Sequence, residues 1–266
     1  MANLMRTAKP PSVWTKNDLA AYHIECHSQD PPTFFGLESL PEPKVDPELL
    51  TTLDYKHATT TQIDSLLRGI DDVMKPSSDY SKVLNFTLKL FKFLYKDFPL
   101  SVSSRDPLGL CICGERRWTE VGVGIVSHSK HDRDMVLVSR LDNVKRFRQS
   151  QSPDAQAQLV AQALAAFSNN NEQRVEAGRI PLDTQIILGI MIVGTTPIFY
   201  RIPVTRDLIE HIAQGTYPPP PNATYVTCCQ PPVPRPDCLY SEGMKPLDSR
   251  YQILSCYEAS KPIIGI

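Results

Sequence analysis

Apolar positions along the chain switch between helical and strand-like spacing, and this pattern predicts the order of the elements. Apolar residues three and four apart predict helices, whereas short apolar or alternating runs predict strands. The predicted helices are Asp18–His27, Thr61–Met74, Asp79 to just before Pro99, Ser152 to about Gly178, Thr205–Gly215 and Leu247–Tyr257. The predicted strands are Leu108–Cys113, Thr119–Ser127, Asp134–Leu141, Gln185–Val193 and Thr196–Ile202. The pattern therefore predicts an α/β protein with a mixed central sheet, in which Thr119–Ser127 pairs with Asp134–Leu141.

Proline marks the chain's organisation. Of the 24 prolines, eight lie in Tyr217–Pro236, so this segment is expected to run extended over the surface. We expect residues 1–75 to form an N-terminal helical and extended arm, and residues 76–215 an α/β core. Residues 216–266 are expected to form a proline-rich C-terminal arm that ends in a helix. The three parts together predict one compact domain.

Composition and charge narrow the class of protein. The chain of 266 residues is 41% hydrophobic and 21% charged, which is typical of a globular protein. Its formal charge of −1 argues against a dominant electrostatic partner such as nucleic acid, so any basic surface must be local. Met1–Pro11 has no apolar signal region, Ile186–Val193 is too short to span a membrane, and the seven cysteines are irregularly spaced. These features predict an intracellular protein of the cytoplasm or nucleus with no membrane partner.

Several segments resemble a known family. They are Trp14–Leu19, Gln29–Gly36, Ala161–Asn170, Ile190–Thr205 and Glu242–Met244. The sequences of these segments are similar to those of a family of uncharacterised fungal proteins associated with the restriction-endonuclease-like PD-(D/E)XK superfamily. The predicted order helix-strand-strand-strand-helix-strand also resembles the core of that superfamily. The resemblance implies a nuclease-like fold and, where the catalytic motif is intact, Mg²⁺-dependent cleavage of nucleic acid.

The catalytic motif of that superfamily is degenerate in this chain. Carboxylates on two adjacent strands hold Mg²⁺, and a lysine two residues beyond the second acid faces the same side. Glu120 occupies the first acid position, but Arg140 stands in the second and Asp142 in that of the lysine. Moving the register by two residues makes Asp142 the acid, but Val144 then stands in the lysine position. Lys145 is the next residue and points to the opposite face of the strand unless a bulge intervenes. We expect Arg140 to pair with Glu120 across adjacent strands.

Three functional hypotheses follow. The first is a catalytically degenerate nuclease-like protein that acts as a binding or scaffolding module, without a cofactor. The second is an active Mg²⁺-dependent nuclease that uses Glu120, Asp142 and Lys145. The third is an intracellular accessory protein without a nucleic-acid role, which the nearly neutral charge favours.

Two short basic runs with an aromatic residue are candidates for contact with nucleic acid. The first run contains Arg116, Arg117 and Trp118, and the second contains Lys145, Arg146 and Arg148 beside Phe147. Arginine and lysine bind phosphates, and an aromatic ring stacks on a base. The alternative is that these are solvated charges in loops.

A pair of histidines is a further candidate site. His23 and His27 lie four residues apart on the predicted helix, a spacing that allows both to bind one zinc ion. The residues between them do not follow the zinc-protease order, in which glutamate directly follows the first histidine. Surface histidines are the simpler interpretation, and no metal site is predicted.

Overall fold

The computed structural model describes residues 7–128, 133–142, 144 and 154–266. The chain is a mixed α/β protein, as the pattern predicts. Its α-helices are α1 (Lys16–Ala21), α2 (Pro31–Phe35), α3 (Pro47–Thr51), α4 (Thr61–Met74), α5 (Tyr80–Leu94), α6 (Asp154–Glu176), α7 (Arg206–Gln214), α8 (Leu239–Glu242) and α9 (Leu247–Ser260). Its strands are β1 (Ile24–Ser28), β2 (Leu100–Ser104), β3 (Pro107–Ile112), β4 (Glu115–Glu120), β5 (Val123–His128), β6 (Arg133–Asp142), β7 (Thr184–Val193), β8 (Thr196–Thr205) and β9 (Thr224–Cys229).

The central sheet has the strand order β1-β9-β8-β7-β6-β5-β2, and β3 and β4 form a separate two-stranded sheet. Strands β6 and β7 are parallel and are connected through α6, as a parallel pair requires. Strands β1 and β9 are also parallel, while the remaining neighbours in the sheet are antiparallel. The sheet is therefore mixed, as predicted.

Each face of the sheet carries its own hydrophobic core. Helix α6 covers one face, and its alanine-rich stretch from Ala161 to Ala166 is buried. Helices α4, α5 and α9 cover the other face, where Tyr257 of α9 packs edge-on against Phe199 of β8 at 5.2 Å between ring centroids. No helix in the described part of the chain is long and apolar enough to cross a membrane.

The predicted strand Thr119–Ser127 is divided in the structure. Strand β4 ends at Glu120 in the two-stranded sheet, and β5 begins at Val123 in the central sheet. The chain crosses at Gly122, where a Cβ atom would lie 2.9 Å from Leu141 and 3.0 Å from the carbonyl oxygen of Ser139. The break is invisible in the sequence because the apolar alternation continues through it. The predicted pairing with Asp134–Leu141 is confirmed for the part that forms β5.

The predicted helix Asp18–His27 is wrong beyond its first turns. The capping box forms as predicted, since Asp18 accepts from the backbone N–H of Thr15 at 2.8 Å. Helix α1 nevertheless ends at Ala21, and β1 begins at Ile24 after a left-handed residue, His23, with φ 54°. Parallel pairing of β1 with the distant β9 overrides the helical preference of this segment.

The prediction that the whole proline-rich segment runs over the surface is wrong for Thr224–Cys229. This stretch is β9, which lies between β1 and β8 in the central sheet. Both predicted arms therefore contribute a strand to the sheet. Leu100–Ser104 also forms a sheet strand that was not predicted, whereas the predicted Leu108–Cys113 lies in the hairpin.

Candidate functional site

The candidate site lies at the carboxyl ends of the parallel strands β6 and β7. Residues Ser139–Asp142 of β6 run beside Ile190–Val193 of β7, and the backbone N–H of Gly194 donates to the backbone carbonyl oxygen of Asp142 at 2.9 Å. Ligand sites in sheets with parallel strands commonly lie at this end. We define the carboxyl-end site by Arg140 and Asp142 of β6 and by Tyr80, Arg105 and Glu120. Arg105, Glu120 and Arg140 each lie within electrostatic reach of Tyr80, which packs against the core on the other face of the sheet.

Arg140 and Asp142 share one face of β6. Side chains two residues apart on a strand point the same way, and this face is the one that α6 covers. Arg140 is half-buried, and Asp142 is only 5% exposed. Ser139 faces the opposite side, where its hydroxyl accepts from the N–H of Val123 at 2.9 Å and donates to the Val123 carbonyl at 2.7 Å. These two bonds hold β6 against β5 beside the site.

Glu120 does not lie on the strand next to β6. It is the exposed last residue of β4, opposite Pro107, and its carbonyl oxygen accepts from Gln162 of α6 at 2.8 Å. The expected arrangement of Glu120 and Arg140 on adjacent sheet strands is therefore wrong, because the chain joins the sheet only at Val123. Glu120 still lies near the end of β6, since the N–H of Gly122, two residues later, donates to the backbone carbonyl oxygen of Ser139 at 2.9 Å.

Tyr80 and Arg105 also belong to this site, and no pattern in the sequence indicated either residue. Tyr80 is the half-buried first residue of α5, and burial raises its pKa. Arg105 and Arg140 lower that pKa, and Glu120 raises it further, so all three side chains lie within electrostatic reach of the phenol. Arg105 is exposed and has φ 57°, a conformation uncommon outside glycine that often occurs at functional positions.

The donor set of this site does not suit Mg²⁺. Mg²⁺ is bound by carboxylate and other oxygen ligands, whereas the site places the guanidinium of Arg140 on the same strand face as Asp142. The second carboxylate, Glu120, is exposed on a different sheet. Within the described ranges, no group of three or more His, Cys, Asp or Glu side chains is arranged to hold a metal ion. The predicted third member, Lys145, lies outside the described residues.

The first basic run lies on the outer surface of the β3–β4 hairpin. Arg116 forms a two-point ion pair with Glu172 of α6, both contacts being 2.7 Å, and lies 5.0 Å from the Trp118 ring centre. Arg117 pairs with Glu115 at 2.5 Å. Trp118 is 58% exposed, and the Arg116 guanidinium lies over its ring. Both guanidinium groups are thus already paired with carboxylates, which weakens the predicted phosphate contacts of this run.

The second basic run, Lys145, Arg146 and Arg148, lies outside the described residues, and its role stays a prediction. The predicted helical alignment of His23 and His27 is wrong, because α1 ends at Ala21 and His27 lies in β1. His23 stacks on Tyr217 with ring centroids 5.0 Å apart, and His27 in β1 contacts Glu25 at 3.2 Å.

Two of the segments on which the expected family resemblance rests contribute to the packed part of the fold. Trp14 is buried and stacks on Tyr22, and Ile190–Thr205 supplies most of the β7–β8 hairpin. No family model matches this chain. Comparison with curated proteins also gives no significant match. The family resemblance therefore stays a hypothesis that rests on the sequence segments alone.

Proposed function

We propose that the protein is a catalytically degenerate nuclease-like module that binds the phosphate backbone of a nucleic acid at the carboxyl-end site. The proposal treats α5, β2, β5, β6, α6 and β7 as a restriction-endonuclease-like core. In support, β2, β5 and β6 are antiparallel neighbours, and α6 leads into β7, which is parallel to β6. The hairpin β3–β4 is then an insertion between the first two strands of this core.

The observation that carries the proposal is Arg140 beside Asp142 on one face of β6. A nuclease of this class needs an acid where Arg140 stands, so the position favours an anion rather than a metal cation. Arg105 brings a second guanidinium within electrostatic reach of the same phenol, Tyr80. Guanidinium groups bind phosphate oxygens through paired hydrogen bonds, and the phenol hydroxyl can donate a further one.

The carboxylates limit the strength of this binding. Glu120 and Asp142 offset the charge of the two arginines, and the whole chain carries a formal charge of −1. We therefore expect moderate affinity without sequence preference and a clear dependence on salt, as for other contacts with the phosphate backbone.

The test is a fluorescence-anisotropy titration of labelled single- and double-stranded DNA and RNA between about 50 and 200 mM salt. Binding should weaken as salt rises. The single variants Arg105→Gln and Arg140→Gln should each weaken binding. Each should also reduce the slope of log binding constant against log salt concentration by about one. Arg68→Gln on α4 is the matched control, because Arg68 is exposed and pairs with Asp64 away from the site. Equal loss in the control, or no salt-dependent binding at all, would favour the accessory-protein hypothesis.

A second candidate is an active Mg²⁺-dependent nuclease. The observation that favours it is the position of the buried carboxylate of Asp142 at the carboxyl end of β6. Incubation of labelled DNA and RNA with Mg²⁺ or Mn²⁺ tests it directly. We expect Asp142→Asn and Glu120→Gln to abolish cleavage by such an enzyme, and the control Asp237→Asn to leave cleavage intact. That result would favour the nuclease over the binding proposal.

A further inference from the structure

A polar cavity of about 270 Å³ lies over the face of β5 and β6 that α6 covers. Its floor is apolar and is made by the buried side chains of Leu108, Val126 and Met135. Its walls are polar: Ser103 and Asp106 lie on one side, and Asn169 and Gln173 of α6 lie on the other. None of these residues belongs to the carboxyl-end site.

Asp106 is the charged group of this cavity. Its Oδ2 atom accepts from the hydroxyl of Ser103, which orients the carboxylate. Across the described ranges of the chain, no lysine, arginine or histidine forms an ion pair with Asp106. A half-buried carboxylate that retains accepting capacity is a binding position for a cationic hydrogen-bond donor.

The α6 wall adds two carboxamides four residues apart on one helix face. Asn169 and Gln173 are half-buried, and their amides form no hydrogen bond with the rest of the described chain. Asn170, between them, is fixed instead, because its amide bonds the backbone N–H and carbonyl of Met135 at 2.8 and 2.9 Å. The wall is therefore held in place while its two outer carboxamides remain available to a ligand.

We propose that this cavity binds a guanidinium group carried on a short alkyl chain. The cavity offers the two oxygen atoms of the Asp106 carboxylate and the amide oxygens of Asn169 and Gln173 as acceptors. These oxygen atoms outnumber the three N–H donors of an ammonium group. A guanidinium bears up to five N–H donors in one plane and can bond a carboxylate and amide oxygens together. The alkyl chain lies on the Met135 and Leu108 floor. The volume is just below the usual range of small-molecule sites, about 300–1,000 Å³, so the ligand is small.

The guanidinium can come from a free metabolite or from an arginine side chain of a peptide. Isothermal titration calorimetry with agmatine tests the free form, and a capped arginine dipeptide tests the peptide form. Putrescine supplies ammonium groups on the same alkyl chain, and a neutral alkylurea removes the charge. We expect one of the two guanidinium probes to bind at least tenfold more tightly than both comparison compounds.

The variant Asp106→Asn removes the charge and keeps an oxygen that can still accept from Ser103, so the fold should be retained. It should lower guanidinium affinity at least tenfold, and Gln173→Ala should lower it by a smaller factor. Asp237→Asn, an exposed carboxylate outside the cavity, is the matched control and should bind as the unmodified chain does. Circular dichroism confirms that each variant is folded. Equal affinity for putrescine and agmatine, or unchanged binding by a folded Asp106→Asn variant, overturns the proposal.

Discussion

At the scale of single residues, Arg250 is the most unusual group in the chain. It is 1% exposed, yet its guanidinium contacts only backbone carbonyls among the hydrogen-bond partners that the structure gives it. These carbonyls belong to Leu49 and Thr52 on the N-terminal side and to Met244 and Lys245 on the C-terminal side, at 2.7 to 3.1 Å. Burial lowers the pKa of Arg250 to about 10, which still leaves it charged at neutral pH. One cation thus joins segments about 200 residues apart.

Replacing Arg250 with alanine should destabilise the protein strongly, because two buried and two partly buried carbonyls lose their donor at once. We expect the free energy of unfolding to fall by about 3 kcal/mol or more, measured by urea denaturation. Arg68→Ala removes an exposed i,i+4 ion pair with Asp64 and should lower the free energy of unfolding far less than Arg250→Ala does, because water screens an exposed pair. Similar losses in the two variants would mean that the Arg250 contacts do not hold the segments together.

A second residue-scale prediction concerns Gly243, which follows helix α8. Its φ is 53° and its ψ is −130°, a region that residues with a side chain rarely adopt. An added Cβ would lie 2.1 Å from the hydroxyl of Thr195, which accepts from the N–H of Met244 at 2.9 Å. Gly243→Ala should therefore lower the midpoint of thermal unfolding well below that of Gly36→Ala. Gly36 is the matched control, because its φ is 68° but an added Cβ meets no atom within 4 Å.

If the two alanine variants melt at the same temperature, neither the contact with Thr195 nor the rarer backbone conformation of Gly243 adds to the cost, and the prediction is wrong. The control itself should lose about 1 to 2 kcal/mol, the usual cost of a left-handed residue with a side chain.

At the scale of elements, α6 covers one face of the sheet and also forms side-chain hydrogen bonds to the backbone of β6. Asn170 is fully buried and bonds both backbone groups of Met135, where the register between β5 and β6 shifts. Asn171 does the same for Leu182, accepting from its N–H at 2.7 Å and donating to its carbonyl at 3.0 Å. Consecutive asparagines thus attach the helix to β6 and to the chain that leads into β7.

Asn170→Ala should leave the N–H and carbonyl of Met135 without these partners in a buried setting. We expect a loss of about 2 to 3 kcal/mol in the free energy of unfolding, and faster hydrogen exchange at Met135. The neighbouring change Asn169→Ala removes a half-buried amide without such bonds and should cost about 0.5 kcal/mol or less. Unchanged exchange at Met135 in the Asn170 variant would contradict this role.

At the scale of the whole molecule, a cluster of charges fastens the C-terminal segment that follows β9. Arg235 donates to Glu242 of α8 at 2.7 Å and to both oxygens of Asp248 at the start of α9, at 2.7 and 2.8 Å. Hydrogen bonds from Arg235 hold the pKa of Asp248 at about 2, against an ordinary value of 3.8. These contacts of Arg235 connect the segment that follows β9 to α8 and to the start of α9.

This cluster should give stability a defined dependence on pH. The pKa of Asp248 is depressed in the folded state, so its contribution is present above the ordinary value of 3.8 and is lost as the pH falls toward about 2. The unmodified protein and Asp248→Asn should therefore differ most in unfolding free energy above about pH 4, and the difference should shrink as the pH approaches 2. Denaturant titrations over this range measure it. A difference that does not vary with pH would show that Asp248 does not titrate in this pair.

The sequence determined the elements whose signals are local. Helix α4 spans Thr61–Met74 as predicted, since its apolar residues recur at helical spacing and all face the core. Helix α7 lies between its predicted caps, because Thr205 bonds the N–H of Leu208 and Gly215 adopts the left-handed conformation. The apolar run that forms β7 was also found, because a strand covered on both faces carries few polar residues.

Only the tertiary structure decided the rest, because it depends on contacts between residues far apart in the chain. Pairing with β9 turns Ile24–Ser28 into a strand against its helical pattern, and a close approach to Ser139 at Gly122 divides what reads as one strand. The candidate site was predicted only in part: Arg140 and Asp142 share a face by strand alternation alone. Tyr80 and Arg105 come to the same end through the folding of α5 and β2 onto the sheet, and no periodicity in the sequence records that encounter.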